Sequence, residues 1–276
     1  MPRNTLSKLV EQPAALTIRP LRYRSIWISD VHLGIRACKA EFLLDFLEST
    51  ESQYLYLVGD IIDLWNLKNG WYWPQSHNDV LRKILKKAER NTKVIYIPGN
   101  HDEVFRDYCG IAFGGINIMQ DAIHTMADGR RFLVMHGDEF DIVMQNKRWL
   151  AIIGDKAYGN LLTLNRWFNN LRKKFGFSYW SVSAYLKHKV KNAVSYISNF
   201  EQASAYAARR RNVDGLICGH IHKATIEQID SILYCNDGDW VESCTALVEH
   251  HDGSLEIIHW ADQSQNQVQI LAGVTS

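Results

Sequence analysis

The chain has 276 residues, of which 46% are hydrophobic, so it is long enough to bury one large core. Its five cysteines form no C-x-x-C pair, which argues against a disulfide framework or a zinc ribbon and favours reduced thiols in the cytosol. No stretch approaches the ~18 apolar residues of a membrane-spanning helix, and residues 1–24 lack the apolar core of a signal peptide. We therefore expect a cytoplasmic protein with a basic leader over 1–24 and one domain over 25–276.

The chain alternates between two kinds of apolar pattern. Short continuous runs predict strands buried on both faces, at residues 25–29, 54–58, 94–97, 132–135 and 216–218. Helical periodicity predicts helices over 39–47 and 79–88, the second capped by Asn78 or Asp79. From Thr225 onwards, short runs between Gly and Asp turns predict further strands. This order predicts an α/β layered sandwich.

A short polar motif follows each of the five apolar runs. The motifs are Asp30-Val31-His32, Gly59-Asp60-Ile61-Ile62-Asp63, Gly99-Asn100-His101-Asp102, His136-Gly137-Asp138 and Gly219-His220-Ile221-His222. Each is a weak signal alone, but together, in this order, they are a strong one. Ligands of such folds collect beyond the carboxyl ends of the strands, so we expect the five motifs to share one edge.

The motifs carry the oxygen and imidazole ligands that two divalent cations need. Such a pair hydrolyses phosphate esters by deprotonating a bridging water and by neutralising the phosphoryl oxygens. Asp30 and His32 alternate along a strand end, so both can point into one crevice, and Asp60 is suited to bridge two ions. The candidate ligands are Asp30, His32, Asp60, Asn100, His136, His220 and His222.

The five motifs resemble those of the calcineurin-like metallophosphoesterase superfamily over roughly residues 25–260. The resemblance implies a four-layer α-β-β-α sandwich and attack on phosphorus by a hydroxide that bridges two metal ions, most often Mn²⁺. It implies a first ion bound by Asp30, His32, Asp60 and His222, and a second bound by Asp60, Asn100, His136 and His220.

The same resemblance assigns roles to three further residues. His101 would face the substrate and protonate the leaving oxygen or stabilise its charge, and Asp102 would orient His101. Asp63 would support a ligand rather than bind metal itself. The remaining histidines have no partner pattern and are expected at surface or packing positions: His77, His124, His188, His250, His251 and His259.

Three stretches look like the UDP-2,3-diacylglucosamine diphosphatase group of lipid A biosynthesis, at residues 55–65, 136–141 and 236–249. That likeness implies a peripheral membrane hydrolase that splits a UDP-linked diacyl sugar. The chain departs from the best-known members, which carry Arg at the position of His101 and lack an equivalent of Asp63. The alternative is a phosphodiesterase or nuclease acting on nucleotides or single-stranded nucleic acid. A third alternative is a catalytically inactive scaffold protein. Such a protein would have lost some metal ligands, and here all of them are present.

The segment over about 141–213 predicts a helical insertion that covers the metal edge as a lid. Residues 142–213 hold thirteen Lys and Arg against two acids, a local charge of +11, which leaves −10 for the rest of the chain. Such a segment suits an anionic lipid-linked substrate or the inner face of an anionic membrane, and it would also suit nucleic acid. Its individual cations can equally be solvated helix faces. The candidate substrate-binding residues are Arg172, Lys173 and Lys174, and 209–211 is a further basic cluster.

Overall fold

The computed structural model describes residues 20–144 and 182–262. The helices are α1 (Ala40–Ser49), α2 (Leu64–Asn69), α3 (Gln75–Glu89), α4 (Glu139–Met144) and α5 (Val182–Arg210), with a 3-10 helix at Glu103–Tyr108. The strands are β1 (Leu21–Ile28), β2 (Thr50–Val58), β3 (Lys93–Ile97), β4 (Ala112–Phe113), β5 (Ile116–Ile118), β6 (Ala122–Thr125), β7 (Arg131–Val134), β8 (Gly215–Cys218), β9 (Thr225–Ile229), β10 (Ile232–Asn236), β11 (Thr245–Glu249) and β12 (Leu255–His259).

The strands form two mixed sheets. The seven-stranded sheet has the order β12-β11-β1-β2-β3-β5-β4, in which β1, β2, β3 and β5 are parallel. The five-stranded sheet has the order β6-β7-β8-β10-β9, in which β7, β8 and β10 are parallel. The parallel strands direct their carboxyl ends, and the motifs that follow them, to one edge of each sheet.

Three separate apolar layers divide the core, as a four-layer sandwich requires. On β1, Ile26 and Ile28 pack under α1 and α3, while Trp27 packs between the two sheets. On β8, Ile217 packs between the sheets, while Leu216 packs under α5. Successive side chains of a strand point to opposite faces, and both faces of each central strand are buried. The sequence of each central strand is therefore a continuous apolar run. The predicted α/β sandwich is confirmed.

Several boundaries differ from the predicted ones. Strand β1 begins at Leu21, inside the segment predicted as a leader. Helix α3 begins at Gln75 after Pro74, so the predicted cap at Asn78 or Asp79 was wrong. Pro74 is the N-cap residue, with an extended ψ of 167° and a φ of −71° that its ring fixes. Helix α2 and strands β4, β5 and β6 have at most six residues each, too few for a periodic pattern.

Helix α5 is the described part of the predicted insertion. Its C-terminal half packs on the five-stranded sheet through Phe200, Ala205 and Ala208. Within residues 20–144 and 182–262, no helix is long and apolar enough to cross a membrane. The candidate substrate-binding residues Arg172, Lys173 and Lys174 lie outside the described residues, as do the leader up to residue 19 and the segment 145–181.

The basic cluster at the end of α5 is partly neutralised by the body of the protein. Arg209 lies 2.8 Å from Asp230, and Arg211 lies 2.7 Å from Asp121. These pairs are partly solvent-exposed and contribute little stability. Because Arg209 and Arg211 are paired within the protein, they resemble the solvated cations of an ordinary helix surface more than a basic surface that binds a ligand.

Candidate metal centre

Five strand ends bring the candidate ligands together between the two sheets. Asp30 follows β1, Asp60 follows β2 and Asn100 follows β3 in the seven-stranded sheet. His136 follows β7 and His220 follows β8 in the other sheet. The expectation that all five motifs share one edge therefore holds for the described chain.

One group of potential ligand atoms contains Asp30, His32 and His222, all within 4.8 Å of one another. His222 Nε2 lies 3.1 Å from Asp30 Oδ1, and His32 Nε2 lies 4.0 Å from the same oxygen. His32 Nε2 also lies 3.9 Å from Asp60 Oδ2. This is the set, with Asp60 at its border, that the resemblance assigns to a first ion.

A second group contains Asp60, His136 and His220, again with atoms within 4.8 Å of one another. His136 Nε2 lies 3.5 Å from Asp60 Oδ2, the oxygen that also faces His32. Asp60 thus stands between the two groups, where a bridging ligand is expected. His101 forms a third group with His32 and Asp60, so distance alone does not separate it from the ligands.

Two motif glycines are needed because neighbouring ligands approach their backbone. A Cβ at Gly59, which has a φ of +80°, would lie 2.2 Å from His136 Nδ1. A Cβ at Gly99 would lie 2.3 Å from Asp60 Oδ1. Either side chain would push a candidate ligand out of place, so these glycines are part of the site's construction.

The backbone is strained at most of the candidate ligands. A positive φ is uncommon for a residue other than glycine and clusters at functional sites, where the surrounding structure holds it in place. The described chain has nine such residues, and five of them are candidate ligands: Asp30 (50°), His32 (53°), Asp60 (53°), His220 (70°) and His222 (54°).

The donor set fits divalent cations, because several lone pairs are buried without a partner. Asn100 Oδ1 and His136 Nε2 are buried atoms with no hydrogen bond, and Asp30 Oδ1 is approached only by other candidate ligands, His222 Nε2 at 3.1 Å and His32 Nε2 at 4.0 Å. His136 Nδ1 donates to Val58 O at 2.8 Å, which leaves the lone pair on Nε2. Unsatisfied buried acceptors are costly, and a cation is what three convergent acceptors lack.

The electrostatics of the cluster also favour positive charge. Burial would lower the pKa of His136, but the carboxylates of Asp60 and Asp30 raise it to about 10. Burial would raise the pKa of Asp30 and of Asp60, but the surrounding histidines lower both. The carboxylates are therefore ionised, and a cation would compete with protons for the imidazoles.

Asp63 connects two histidines of the site. Its Oδ2 lies 3.1 Å from His32 Nδ1, and its Oδ1 lies 3.1 Å from His101 Nδ1. The backbone N–H of Asn66 donates to it at 2.8 Å. Burial would raise the pKa of Asp63, but these partners lower it below its usual range. The carboxylate thus turns Nε2 of both rings towards Asp60, in line with the supporting role expected for it.

A sequence profile described as calcineurin-like phosphoesterase matches residues 23–224. The chain belongs to this family. Members of the family use divalent metals, and the protein is a metal-dependent hydrolase. The match and the geometry agree on the same strand ends, since all five motifs lie within the matched range.

The chain is similar over most of its length to enzymes named UDP-2,3-diacylglucosamine hydrolase. It is 26% identical to that of Neisseria gonorrhoeae over 228 residues, which are 78% of this chain and 89% of the relative. It is also 26% identical to that of Aliivibrio fischeri over 251 residues, 82% and 94% of the two chains. A solved archaeal phosphodiesterase shares 14% identity at a TM-score of 0.39, covering 85% of this chain and 98% of the other.

Asp102 differs from the role that the family pattern assigned to it. Its buried carboxylate accepts hydrogen bonds from the backbone N–H groups of Ile61 at 2.8 Å and Gly99 at 2.6 Å, and from the hydroxyl of Tyr96. The group beside His101 Nδ1 is Asp63 rather than Asp102. Asp102 therefore organises the loop that carries Asp60, and the expectation that it orients His101 is not met.

Sequence reasoning overlooked Asp141, which lies on α4. Its Oδ2 is 2.9 Å from His220 Nε2, and it is buried. The only available signal was its position in the stretch His136-Gly137-Asp138-Glu139-Phe140-Asp141, which resembles the relatives. Spacing alone gave it no partner, because His220 lies 79 residues away.

Ser29 and Asp237 form a second overlooked support, behind Asp30. Ser29 Oγ lies 2.6 Å from both Asp30 Oδ2 and Asp237 Oδ1. One hydroxyl hydrogen cannot serve two carboxylates. Burial and the neighbouring Asp30 raise the pKa of Asp237 well above its usual range. The raised pKa of Asp237 reduces the competition for that hydrogen, so Ser29 can donate it to Asp30.

A groove of about 430 Å³ opens beside His101. It is lined in part by Trp65, Lys68, Val104 and Arg106. The rings of Trp65 and His101 are 4.4 Å apart, and Trp65 is 40% exposed. Glu103 and Asp107 also line the groove, and Arg106 lies 2.8 Å from Asp138. The groove thus offers an aromatic surface with side chains of both charges next to the metal centre.

The other described histidines occupy packing or surface positions, as expected. His77 Nδ1 accepts from the backbone N–H of Gly34 at 3.1 Å, and His124 is buried between the sheets. His250 lies on the surface, 2.9 Å from Glu256. His188 belongs to the part of α5 whose side chains are not described.

Proposed function

We propose that the chain is a two-metal phosphoesterase that hydrolyses a phosphodiester or diphosphate, with a UDP-2,3-diacylglucosamine-like molecule as its substrate. The observation that carries the proposal is the convergence of buried lone pairs on Asp30, Asn100 and His136 that no group outside the ligand set satisfies. A structural cluster of this kind would have its polar atoms paired, whereas a metal site leaves them open.

In this proposal, Asp60 binds both cations. Asp30, His32 and His222 complete the first site, and Asn100, His136 and His220 complete the second, as the family resemblance implies. When bound, two divalent cations lower the pKa of a coordinated water and neutralise charge on the phosphoryl oxygens. Mn²⁺ is the proposed metal, since carboxylate, amide and imidazole ligands suit it.

His101 is proposed as the acid that protonates the leaving oxygen. Burial would lower its pKa, but Asp63 and Asp60 raise it above its ordinary value, which favours the protonated ring that a general acid needs. Its side chain is 24% exposed and borders the groove, where a substrate can reach it. Exchange of His101 for Ala should leave metal binding intact and lower turnover by roughly 100-fold or more. Loss of either metal would instead make His101 a ligand.

The substrate class rests on the named relatives and on the groove. The relatives' names specify a diacylated UDP-sugar. The groove beside His101 presents the ring of Trp65, which suits a molecule with an apolar or planar part, while its Lys68 and Arg106 are balanced by Glu103 and Asp107. The basic insertion is proposed to contact acyl chains or the inner face of the membrane, which gives a cytoplasmic, membrane-peripheral enzyme.

Two assays test the proposal in sequence. The Mn²⁺-loaded protein should hydrolyse bis-p-nitrophenyl phosphate, and absence of this activity would refute the phosphoesterase mechanism. A parallel assay in detergent should then release UMP from UDP-2,3-diacylglucosamine and leave single-stranded oligonucleotides intact. Attack on the oligonucleotides alone would refute the lipid substrate and favour a nuclease. A variant with Arg172, Lys173 and Lys174 neutralised should lose binding to anionic liposomes.

A further inference from the structure

Helix α5, from the insertion, is connected to the metal centre through two side chains. The hydroxyl of Tyr196, on α5, donates to Asp141 Oδ1 at 2.5 Å. The other oxygen of Asp141 lies 2.9 Å from His220 Nε2. Asp141 is only 3% exposed at its side chain and His220 only 10%, so water does not replace these contacts freely.

The carboxylate of Asp141 determines which nitrogen of His220 is available. An ionised carboxylate only accepts hydrogen bonds, so His220 Nε2 must carry the proton. The lone pair is then on Nδ1, which makes Nδ1 the nitrogen that His220 can offer to the second ligand group with Asp60 and His136. The hydroxyl of Tyr196 fixes the rotamer of Asp141, because it donates to the oxygen that His220 does not use.

Two further contacts attach α5 to the same motif. The ring of Phe200 lies 6.0 Å from that of His220 and is fully buried. Glu201 lies 3.1 Å from Lys223, the residue that follows His222. A displacement of α5 would therefore move both the packing below His220 and the donor to Asp141.

We propose that Tyr196 and Asp141 are positioning residues for His220, so that binding of the second metal ion depends on the docking of α5. This inference rests on the proposed two-metal site. In this inference the insertion does more than cover the substrate, because its helix α5 helps to orient the metal ligand His220. The other supported histidines are oriented from within the body, His136 by Val58 O and His32 by Asp63.

The test is a Mn²⁺ titration of the full chain, with unbound Mn²⁺ measured by electron paramagnetic resonance. The wild type should bind two ions. Asp141→Asn should weaken one of them by about 10- to 100-fold and leave the other unchanged, because the amide no longer demands a proton on His220 Nε2. Tyr196→Phe should have the same selective effect at about the lower end of that range.

Matched controls separate positioning from general damage. Tyr206→Phe removes a hydroxyl from an exposed tyrosine on the same helix, and Glu139→Gln removes a charge from an exposed residue of α4; both should bind two ions normally. The inference is overturned if Asp141→Asn and Tyr196→Phe bind both ions like the controls, or if both ions weaken equally. A wild type that binds no Mn²⁺ would overturn the proposed function itself.

Discussion

Two buried clusters of histidine and carboxylate lie between the sheets, and only one of them is built for a ligand. The first is the metal centre. The second surrounds Glu249 of β11, which accepts from Arg24 at 2.7 Å and from Ser25 at 2.6 Å. His124 lies 3.0 Å from the same carboxylate, and its Nδ1 lies 3.0 Å from the hydroxyl of Tyr56.

The two clusters differ in the source of the positive charge that balances their buried carboxylates. Within the described chain, Arg24 neutralises Glu249, and neither residue has a buried polar atom without a partner. At the metal centre, by contrast, Asp30, Asn100 and His136 all have unpartnered atoms. The residues of the Glu249 cluster also have ordinary backbone angles, whereas five of the seven candidate ligands have a positive φ.

The comparison shows that burial and perturbed acidity do not identify a functional site by themselves. Burial would raise the pKa of Glu249, but His124, Ser25 and the other donors lower it to about 2, a large shift at a site with no open lone pair. The metal centre differs because buried atoms on several of its residues have no hydrogen-bond partner outside the ligand set. Structural networks pair their own charges, and functional sites leave part of the pairing to a ligand.

The largest expected effect is on metal binding, at Asp60. Asp60→Asn removes the charge shared by both ligand groups but keeps an oxygen for the 2.8 Å bond from the backbone N–H of His101. We expect loss of both Mn²⁺ ions and more than about 100-fold loss of phosphodiesterase activity, beyond the range for residues that only support a ligand. Metal content and turnover measure this. Asp79→Asn, at an exposed ion pair, is the control, and equal activity in the two variants would refute the bridging role.

The second effect is on stability, at Glu249. Glu249→Gln leaves Arg24 without its partner, and we expect the free energy of unfolding to fall by about 3 kcal/mol, the low end for a broken buried pair, because Arg24 is 18% exposed. Mn²⁺ binding should not change. Chemical denaturation measures the loss, with Glu256→Gln at an exposed pair as the control. A change in Mn²⁺ affinity without a loss of stability would contradict the comparison.

The third effect is on the pH dependence of stability, which should have opposite directions for Glu249 and His136. The pKa of Glu249 is lowered from 4.5 to about 2, so its stabilisation is complete above 4.5 and is lost as the pH falls towards 2. The pKa of His136 is raised from 6.5 to about 10, so in chelator its stabilisation is complete below 6.5 and is lost as the pH rises towards 10.

Bound Mn²⁺ replaces that proton, so stabilisation by Mn²⁺ should increase as the pH rises above 6.5. Thermal unfolding across the pH range, with Mn²⁺ or with chelator, measures both sides. A contribution of Mn²⁺ that is the same at every pH would contradict the assignment of His136 to the metal centre.

The sequence was sufficient to predict which residues meet at the metal edge. Each motif directly follows an apolar run, and the carboxyl ends of parallel strands converge whatever the loops do. The helix that begins at Pro74 was misjudged, because the polar residues at 78 and 79 offered a more familiar cap.

The supports of the ligands could not be predicted in the same way. Asp102 is adjacent to His101 in the sequence, yet its carboxylate binds the loop after β2, which depends on the turn between β3 and the 3-10 helix. Asp141 and Tyr196 are 55 residues apart and meet only because α5 docks on the second sheet. Such contacts are tertiary, and no local pattern encodes them.

The smallest expected effects are those of replacing two serines, one on β1 and one directly after it. Ser25, on β1, donates to Glu249 at 2.6 Å, and Ser29, just after β1, lies 2.6 Å from Asp30. Ser25→Ala should cost about 1 kcal/mol of stability and leave Mn²⁺ affinity unchanged. Ser29→Ala should weaken Mn²⁺ binding by about 10-fold, because the second oxygen of Asp30 loses one of its two donors and keeps only the backbone N–H of His220 at 2.8 Å. Calorimetry and Mn²⁺ titration of both variants measure the two effects. If both variants lost stability and neither lost Mn²⁺ affinity, Ser29 would not support Asp30 as a ligand. The difference between the Glu249 cluster and the metal centre would then be confined to the candidate ligands.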